Sequence, residues 1–417
     1  MALWHAQLER PLSRPLDPIP FEHEGQVLFG LRDSLGLTPA GLVVPPPVLF
    51  LLILMDGQTD LETLARHFEE KFQSPIPQET LQSIILQLDE AHCLETMGIE
   101  RVRQERLRAY REAPAREMFH AESGYPAEAD DLRAMLDGQF TMEGGPGRAP
   151  RGGENASLSA IVSPHIDFRR GGPNYGWAYG ALGEGPEPET VVIFGTAHAP
   201  CRSPMLFTGK DFETPLGAVR IDQDFVDAVQ AKVDHDLFED ELVHVAEHSI
   251  EFQAICLRHV FPNSDKLRIV PILCGVMDGA PQSGSLPPGG PFAKTLQAVI
   301  DTISSWPRRV TVIAGADLAH IGPQFGHERE VDEGFLNEVR AEDEEALRFA
   351  AAGDAEGFLG SFAASRNARN VCSVAAIYAT LRCLPALGVE RGRLLNYVQS
   401  ADPSGALAVT HAAMAFP

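Results

Sequence analysis

Two apolar runs, Val191-Val192-Ile193-Phe194 and Val310-Thr311-Val312-Ile313-Ala314, each end on a glycine and meet an ionisable side chain within three residues: His198 in one case, Asp317 in the other. Short unbroken apolar runs of this kind read as buried strands. Polar groups just beyond them sit where α/β proteins build sites, at the carboxyl ends of strands. Residues 159–162, 267–273 and 394–398 have the same strand pattern, and helical stretches separate the runs. The expected fold class is therefore α/β, a central mixed sheet sandwiched by helices.

The chain divides near residue 112. Residues 1–112 read as a small winged-helix-like α+β domain with a linker helix, and residues 113–417 as the α/β domain. Residues 20–45 alternate apolar pieces with Gly and Pro, as a hairpin does. Residues 48–55 predict a buried helix stopped by Asp56-Gly57. Thr59 or Asp60 caps the next helix, whose Leu61, Leu64, Ala65 and Phe68 share a face, and Pro75 and Pro77 end it. Residues 78–91 predict a third helix with Leu81, Ile84, Ile85 and Leu88 inward. Residues 101–116 read as a charged, solvated linker helix carrying Arg101, Arg103, Arg106, Arg108 and Arg111. Glycine and proline mark flexible loops at 143–156 and 279–291.

Charge narrows the partners. With 34 basic against 58 acidic residues the formal balance is −24, which argues against nucleic acid or an anionic membrane surface. The third helix carries Glu79, Asp89 and Glu90 and no Lys or Arg, so it would contact phosphates poorly. The longest apolar run, 48–55, is too short to span a bilayer. The start, Met1-Ala2-Leu3-Trp4-His5, lacks the basic and apolar regions of a cleavable signal. The 6 cysteines form no CxxC pair, so neither a disulfide framework nor a zinc ribbon is expected, and a cytoplasmic location is. No Walker loop, Rossmann fingerprint or GxSxG elbow occurs.

Five islands carry the chemistry. In Ser163-Pro164-His165 the proline fixes the chain as it leaves a strand. In Gly195-Thr196-Ala197-His198 the glycine is expected to permit a tight turn. The two histidines are 198 − 165 = 33 residues apart, one strand–helix–strand unit, so adjacent strands can bring both imidazoles together. Two neutral imidazoles suit Fe, Cu, Zn or Ni. In Asp317-Leu318-Ala319-His320, a helix or turn would put Asp317 and His320 on one face; Asp317 then orients His320, both act in proton transfer, or Asp317 caps the helix. Glu247-His248-Ser249-Ile250-Glu251 opens an amphipathic helix. Glu247 and His248 read as groups that orient a ligand or substrate, while Glu251 reads equally well as solvated. Cys372, in Asn370-Val371-Cys372-Ser373, precedes a helix whose dipole favours a thiolate. It is a ligand, a nucleophile or, as most free cysteines are, a buried apolar group.

In order along residues 115–415, these islands resemble the Memo family, which includes protein B of AmmeMemoRadiSam systems. Further matching stretches are His120-Ala121-Glu122-Ser123-Gly124-Tyr125-Pro126, Val270-Pro271-Ile272-Leu273-Cys274-Gly275 and Leu395-Asn396-Tyr397-Val398-Gln399-Ser400. Memo proteins are similar in fold to the LigB-type class III extradiol dioxygenases, which hold nonhaem iron. The resemblance implies metal positions at His165, His198 and Cys372 and puts Asp317 and His320 on the family's adjacent pair; with Glu247 and His248, read above from their own pattern, these make the candidate catalytic group. It implies Fe(II), with Cu(I) as the alternative, because a cysteine stands where a carboxylate completes the dioxygenase triad. The family's Pro-His-Ala-Gly reads Pro164-His165-Ile166-Asp167 here. Asp167, together with Tyr175, is a candidate substrate contact, and Asp167 reads also as a ligand or as a partner of Arg169 or Arg170. Ala199 and Ser373 depart from the family as well. More weakly, residues 20–97 resemble PqqD-like winged-helix peptide-binding modules, on Asp56-Gly57-Gln58-Thr59-Asp60-Leu61-Glu62-Thr63-Leu64-Ala65. Two functions follow. One is an iron- or copper-dependent oxidoreductase of dioxygenase type; the other is a non-catalytic peptide- or partner-binding protein with a degenerate pocket. A small molecule or peptide, a radical-SAM enzyme and an AMMECR1-like protein are the implied partners.

Overall fold

The computed structural model describes residues 4–39, 41–153, 157–277 and 279–417. Two compact units emerge, Met1–Ala113 and Pro114–Pro417. Part of the first predicted loop, residues 154–156, lies outside the described residues.

The first unit is α+β. Strands β1 (Asp17–His23) and β2 (Gln26–Arg32) form an antiparallel hairpin, and β3 (Val43–Val44) adds to β2. Glu24 and Gly25 both have positive φ, 52° and 76°, as a two-residue turn matched to strand twist requires. Four helices follow: α1 (Pro46–Leu54), α2 (Leu61–Phe72), α3 (Gln78–Glu90) and α4 (Met97–Glu112). Asp60 caps α2 by accepting from the Thr63 amide at 2.9 Å. Leu64, Leu81, Ile85 and Leu88 are buried with Leu51 and Leu52 of α1, whereas Ile53 is exposed. The linker helix ends four residues earlier than its charge pattern predicts. Ala115–Arg116 is a strand, β4, and Arg116 is fully buried in the second unit.

The second unit is built on a mixed sheet. Its elements are α5 (Ala129–Thr141), β5 (Ala160–Ser163), α6 (Phe168–Gly183), β6 (Thr190–Thr196), β7 (Met205–Phe207), β8 (Asp211–Phe212), β9 (Arg220–Ile221), α7 (Gln223–Gln230), α8 (Val243–Ala246), α9 (His248–Val260) and β10 (Arg268–Cys274). There follow α10 (Ala280–Ser283), α11 (Pro291–Ser305), β11 (Val310–Gly315), β12 (Asp317–Ile321), α12 (Glu333–Ala351), α13 (Ala355–Gly360), α14 (Val374–Cys383), β13 (Arg393–Ala401) and β14 (Ala408–Phe416). The strand order is β12-β14-β5-β11-β6-β10-β7, with β13 on β14 and β9 on β10. β5, β11, β6 and β10 run parallel; β7, β12, β13 and β14 join antiparallel. All five strand runs read from the sequence are present, and helices cover both faces, as α/β runs of this kind require. Val192, Phe194, Val312 and Ala314 pack in one cluster with residues of α11 and α14, while α6 and α9 contact the sheet with Gly195 beneath α9.

Two local expectations fail. Asp317 to His320 is neither helix nor turn but strand β12, paired with β14 and bulged between Asp317 and His320. Its partner lies some ninety residues downstream, so no local pattern reveals the pairing. Gly195 makes no tight turn. It lies inside β6, and a Cβ there would sit 2.6 Å from Ser249 Oγ and 2.7 Å from Ile250 Cγ1. The glycine is needed for close approach of α9, not for backbone freedom. Gly195→Ala is expected to cost about 1–3 kcal/mol from overpacking, read as a lower urea midpoint at unchanged m-value.

No helix among the described residues is long and apolar enough to cross a membrane.

Candidate metal centre

The carboxyl ends of β5, β6 and β11 open on one side of the sheet, and the loop before α14 and the start of α9 close over them. Pro164 turns the chain out of β5, and His165 follows, fully buried. Its amide donates to Asp317 Oδ1 at 3.0 Å. Its Nδ1 lies 2.9 Å from the Gly315 carbonyl, which can only accept, so Nδ1 carries a proton and Nε2 is the nitrogen that a ligand could take once its own proton leaves. That Nε2 stands 3.6 Å from Cys372 Sγ and 3.4 Å from Asp317 Oδ2. Two acidic groups, Cys372 and Asp317, thus face one imidazole nitrogen.

His198 is held in a similar way. Glu247 caps α9 by accepting from the Ser249 amide at 2.9 Å, and its Oε2 accepts from the His198 amide at 2.9 Å. Both carboxylate oxygens lie 3.0 Å from His198 Nδ1. Nδ1–H therefore points to Glu247, and the other side of the ring faces Cys372, whose thiol it hydrogen-bonds. The ligand atoms of His165, His198 and Cys372 all lie within 4.8 Å of one another. Two nitrogens and one sulfur, each oriented by a neighbour, form a donor set suited to a borderline or soft ion.

Cys372 sits just before α14, with Ser373 as the helix N-cap. Burial disfavours its thiolate, but His320, His165 and His198 outweigh burial and hold the thiol well below its usual range. Burial likewise opposes the His165 cation, yet Asp317 and Cys372 push it up to about 9. The two shifts describe one imidazolium–thiolate pair in the metal-free chain. Asp317 is pulled below the ordinary carboxylate range against its burial, first by His165. Glu247 is pulled down against its burial mainly by His198. His248 behaves oppositely. Burial, with help from His198, His165 and His120, pushes it down to about 3 despite Glu247. It is a neutral ring, stacked on His198 at 4.8 Å between centroids and set edge-on to His165 at 5.4 Å.

His320 is half-buried. Its Nδ1 donates to Leu318 O at 3.1 Å, and its ring meets Phe325 edge-on. Its amide donates to Arg369 O at 2.8 Å, and its carbonyl accepts from Asn370 Nδ2 at 3.3 Å. Asp167 caps α6 and pairs with Arg170 at 2.6 Å; it is not among the clustered donors. Asp167 lines a groove of about 1090 Å³ with Arg169, Arg170, Gln399 and Ser400. Tyr175 is buried, and its hydroxyl donates to Ile166 O at 3.0 Å. It braces the His165 segment from behind. Glu251 is not solvated. It is fully buried, paired with Arg116 at 2.6 Å and accepting from the Tyr125 hydroxyl at 2.5 Å.

Ser373 and Arg116 are the residues that sequence reasoning undervalued. Ser373 Oγ accepts from the Asp317 amide at 3.1 Å and lies 3.0 Å from Thr196 Oγ1 and 3.2 Å from Cys372 Sγ. It ties the end of β6 and the start of β12 to Cys372. The Arg116 guanidinium donates to Glu247 O at 2.9 Å and to His244 O at 2.5 Å, fixing the start of α9. Only the departure of Ser373 from the family's glycine signalled the first, and nothing local signalled the second.

A mixed sheet between helix layers, with two imidazoles and a thiol gathered at its carboxyl edge, defines an α/β protein with a His–His–Cys donor cluster. The family model described as "Memo-like protein" matches residues 116–414, and the chain belongs to the Memo family. A "MEMO1 family protein" of Aquifex aeolicus is 28% identical over 389 residues, 93% of this chain and 96% of that one. One of Methanopyrus kandleri is 30% identical over 286 residues, covering 67% and 90%. One of Thermus thermophilus is 27% identical over 344 residues, covering 82% and 94%. The coverage of the Aquifex protein exceeds what the second unit alone could supply.

Proposed function

We propose that this chain is a metal-dependent oxidoreductase of the dioxygenase type, with Fe(II), or alternatively Cu(I), held by His165, His198 and Cys372. One observation carries the reading: each imidazole's Nδ1 is engaged by an oxygen acceptor, which turns both Nε2 atoms, with Cys372 Sγ, toward one small volume. When bound, such an ion supplies one-electron chemistry and an open position for an exogenous ligand. The chain's own residues do the rest. Glu247 fixes the His198 tautomer. Asp317 holds the His165 backbone through its amide and keeps negative charge beside the ion. His320, half-buried at the rim, is the group that can exchange a proton between a bound substrate and solvent. Neutral His248 narrows the approach from the α9 side. The groove beside Asp167 fits a small molecule or a peptide segment, and a radical-SAM enzyme and an AMMECR1-like protein are the proposed partners.

Metal content after anaerobic purification tests this. The wild-type chain is expected to carry close to one equivalent of iron or copper, and His165→Ala and Cys372→Ala less than about a tenth of that, each losing one of three donors. Oxygen uptake with a catechol or thiol compound is expected only from the loaded wild type. A folded wild-type chain with no metal above background, and none taken up on reconstitution, would rule the reading out.

A further inference from the structure

We propose that His198, Glu247 and His248 form a second cation site, for a borderline divalent ion such as Zn(II), with the His198 ring shared between it and the His165–His198–Cys372 centre. The ligand atoms of the three residues lie within 4.8 Å of one another. His198 Nδ1 is 3.0 Å from both Glu247 oxygens, and His248 Nδ1 is 3.3 Å from Glu247 Oε1. Three N and O donors at about 2.0–2.2 Å from one ion are separated by about 3 Å at right angles and about 3.4 Å in a tetrahedron. Two edges of this triangle, 3.0 Å and 3.3 Å, fall in or near that range.

One proton on His198 Nδ1 accounts for the His198–Glu247 contact. A second imidazole nitrogen, His248 Nδ1, turns to the same carboxylate at 3.3 Å. Glu247 has capacity for an ion. A carboxylate offers about four lone-pair positions, and the two backbone amides of His198 and Ser249 take one on each oxygen. The site can also be reached. The side chains of His198 and His248 are 37% and 30% exposed, although Glu247 beneath them is buried.

The donor chemistry separates the two sites. The His165 site includes a thiolate and favours a softer ion, whereas two imidazoles and a carboxylate suit borderline divalent ions. Binding at the second site replaces the Nδ1 proton of His198, which passes to solvent. The ring then carries an ion at each nitrogen. Glu247, Asp317 and Cys372 supply the negative charge that offsets two dications within one cleft.

The inference rests on the proposed centre only for the shared ring, and a cobalt titration separates the two. The full chain, stripped of metal, is titrated with Co(II) as wild type, His248→Gln and Cys372→Ala. Wild type is expected to bind two equivalents, one with thiolate-to-cobalt absorption and one without. His248→Gln should fall to one equivalent and keep the thiolate absorption. Cys372→Ala should fall to one and lose it. A single wild-type equivalent, unchanged in His248→Gln and abolished in Cys372→Ala, would overturn the second site and leave the first standing. A folded wild-type chain that binds no cobalt would overturn both.

Discussion

Arg116→Ala is expected to lower the stability of the full chain by about 3–5 kcal/mol, the cost of stranding one member of a buried ion pair. Arg116 and Glu251 are 1% and 0% exposed at the side chain, so water cannot replace the lost partner. The Glu251 carboxylate would keep only the Tyr125 hydroxyl and the His120 amide. The substitution also removes donors to the His244 and Glu247 carbonyls and a cation–π contact with Phe212. Against a typical stability of about 5–15 kcal/mol this is a large share. Urea denaturation measures it, and Arg116→Ala with Glu251→Gln should recover part of the loss because the stranded charge is gone. A loss under about 1 kcal/mol would mean that the pair behaves as a solvated one. Arg116 also fixes the carbonyl of Glu247, whose side chain orients His198, so the single variant should bind metal more weakly at denaturant concentrations where it remains folded.

Acid should destabilise the chain well before its carboxylates titrate. His244 and His411 are fully buried. Burial pushes them from the ordinary 6.5 down to about 3 and about 4. Burial keeps both rings neutral, and a hydrogen bond accepted at Nδ1 does so as well for His411. His244 Nε2–H donates to Leu206 O at 3.0 Å, and His411 Nδ1 accepts from Asn174 Nδ2 at 2.9 Å. A group whose folded pKa is depressed contributes stability above its unfolded pKa, and that stability drains as pH falls toward the folded value. The window therefore runs from about pH 6.5 down to about 4, where each ring has forfeited about 3 kcal/mol. His165 does not offset this. Its pKa is raised to about 9, so its contribution is already complete below pH 6.5 and is lost only toward alkaline pH. Asp317 and Glu247, both lowered, add to the acid loss at the lower edge. The urea midpoint between about pH 7 and 4 measures the effect, and His411→Gln should flatten the curve. A midpoint constant across that range would contradict the assignment of neutral buried rings.

The legible and illegible parts of this chain differ in range. Strands such as Val191–Phe194 are readable because burial on both faces demands an unbroken apolar run. The Asp60 cap and the helices of the first unit are readable because capping and helical periodicity act within a few positions. β12 is not, because its geometry is dictated by β14. Arg116 reads as the last arginine of a solvated helix, yet it is buried against a carboxylate 135 positions away (251 − 116). Glu251 reads as solvated for the same reason: nothing within a helical turn reveals a partner on another segment.

By itself, the sequence determined the α/β class, the strand runs, and the residue types available at their ends, since these follow from local burial pattern and spacing. Its ordered islands also marked the family. Tertiary structure alone decided which nitrogen of each histidine faces the cluster, because that depends on acceptors, Gly315 O and Glu247, supplied by other segments. It alone decided that Cys372 lies beside imidazoles rather than in the core, and that Gly195 serves packing rather than a turn. A site of this kind is written in the chain as scattered donors, and its chemistry appears only once distant strands set their distances and their protons.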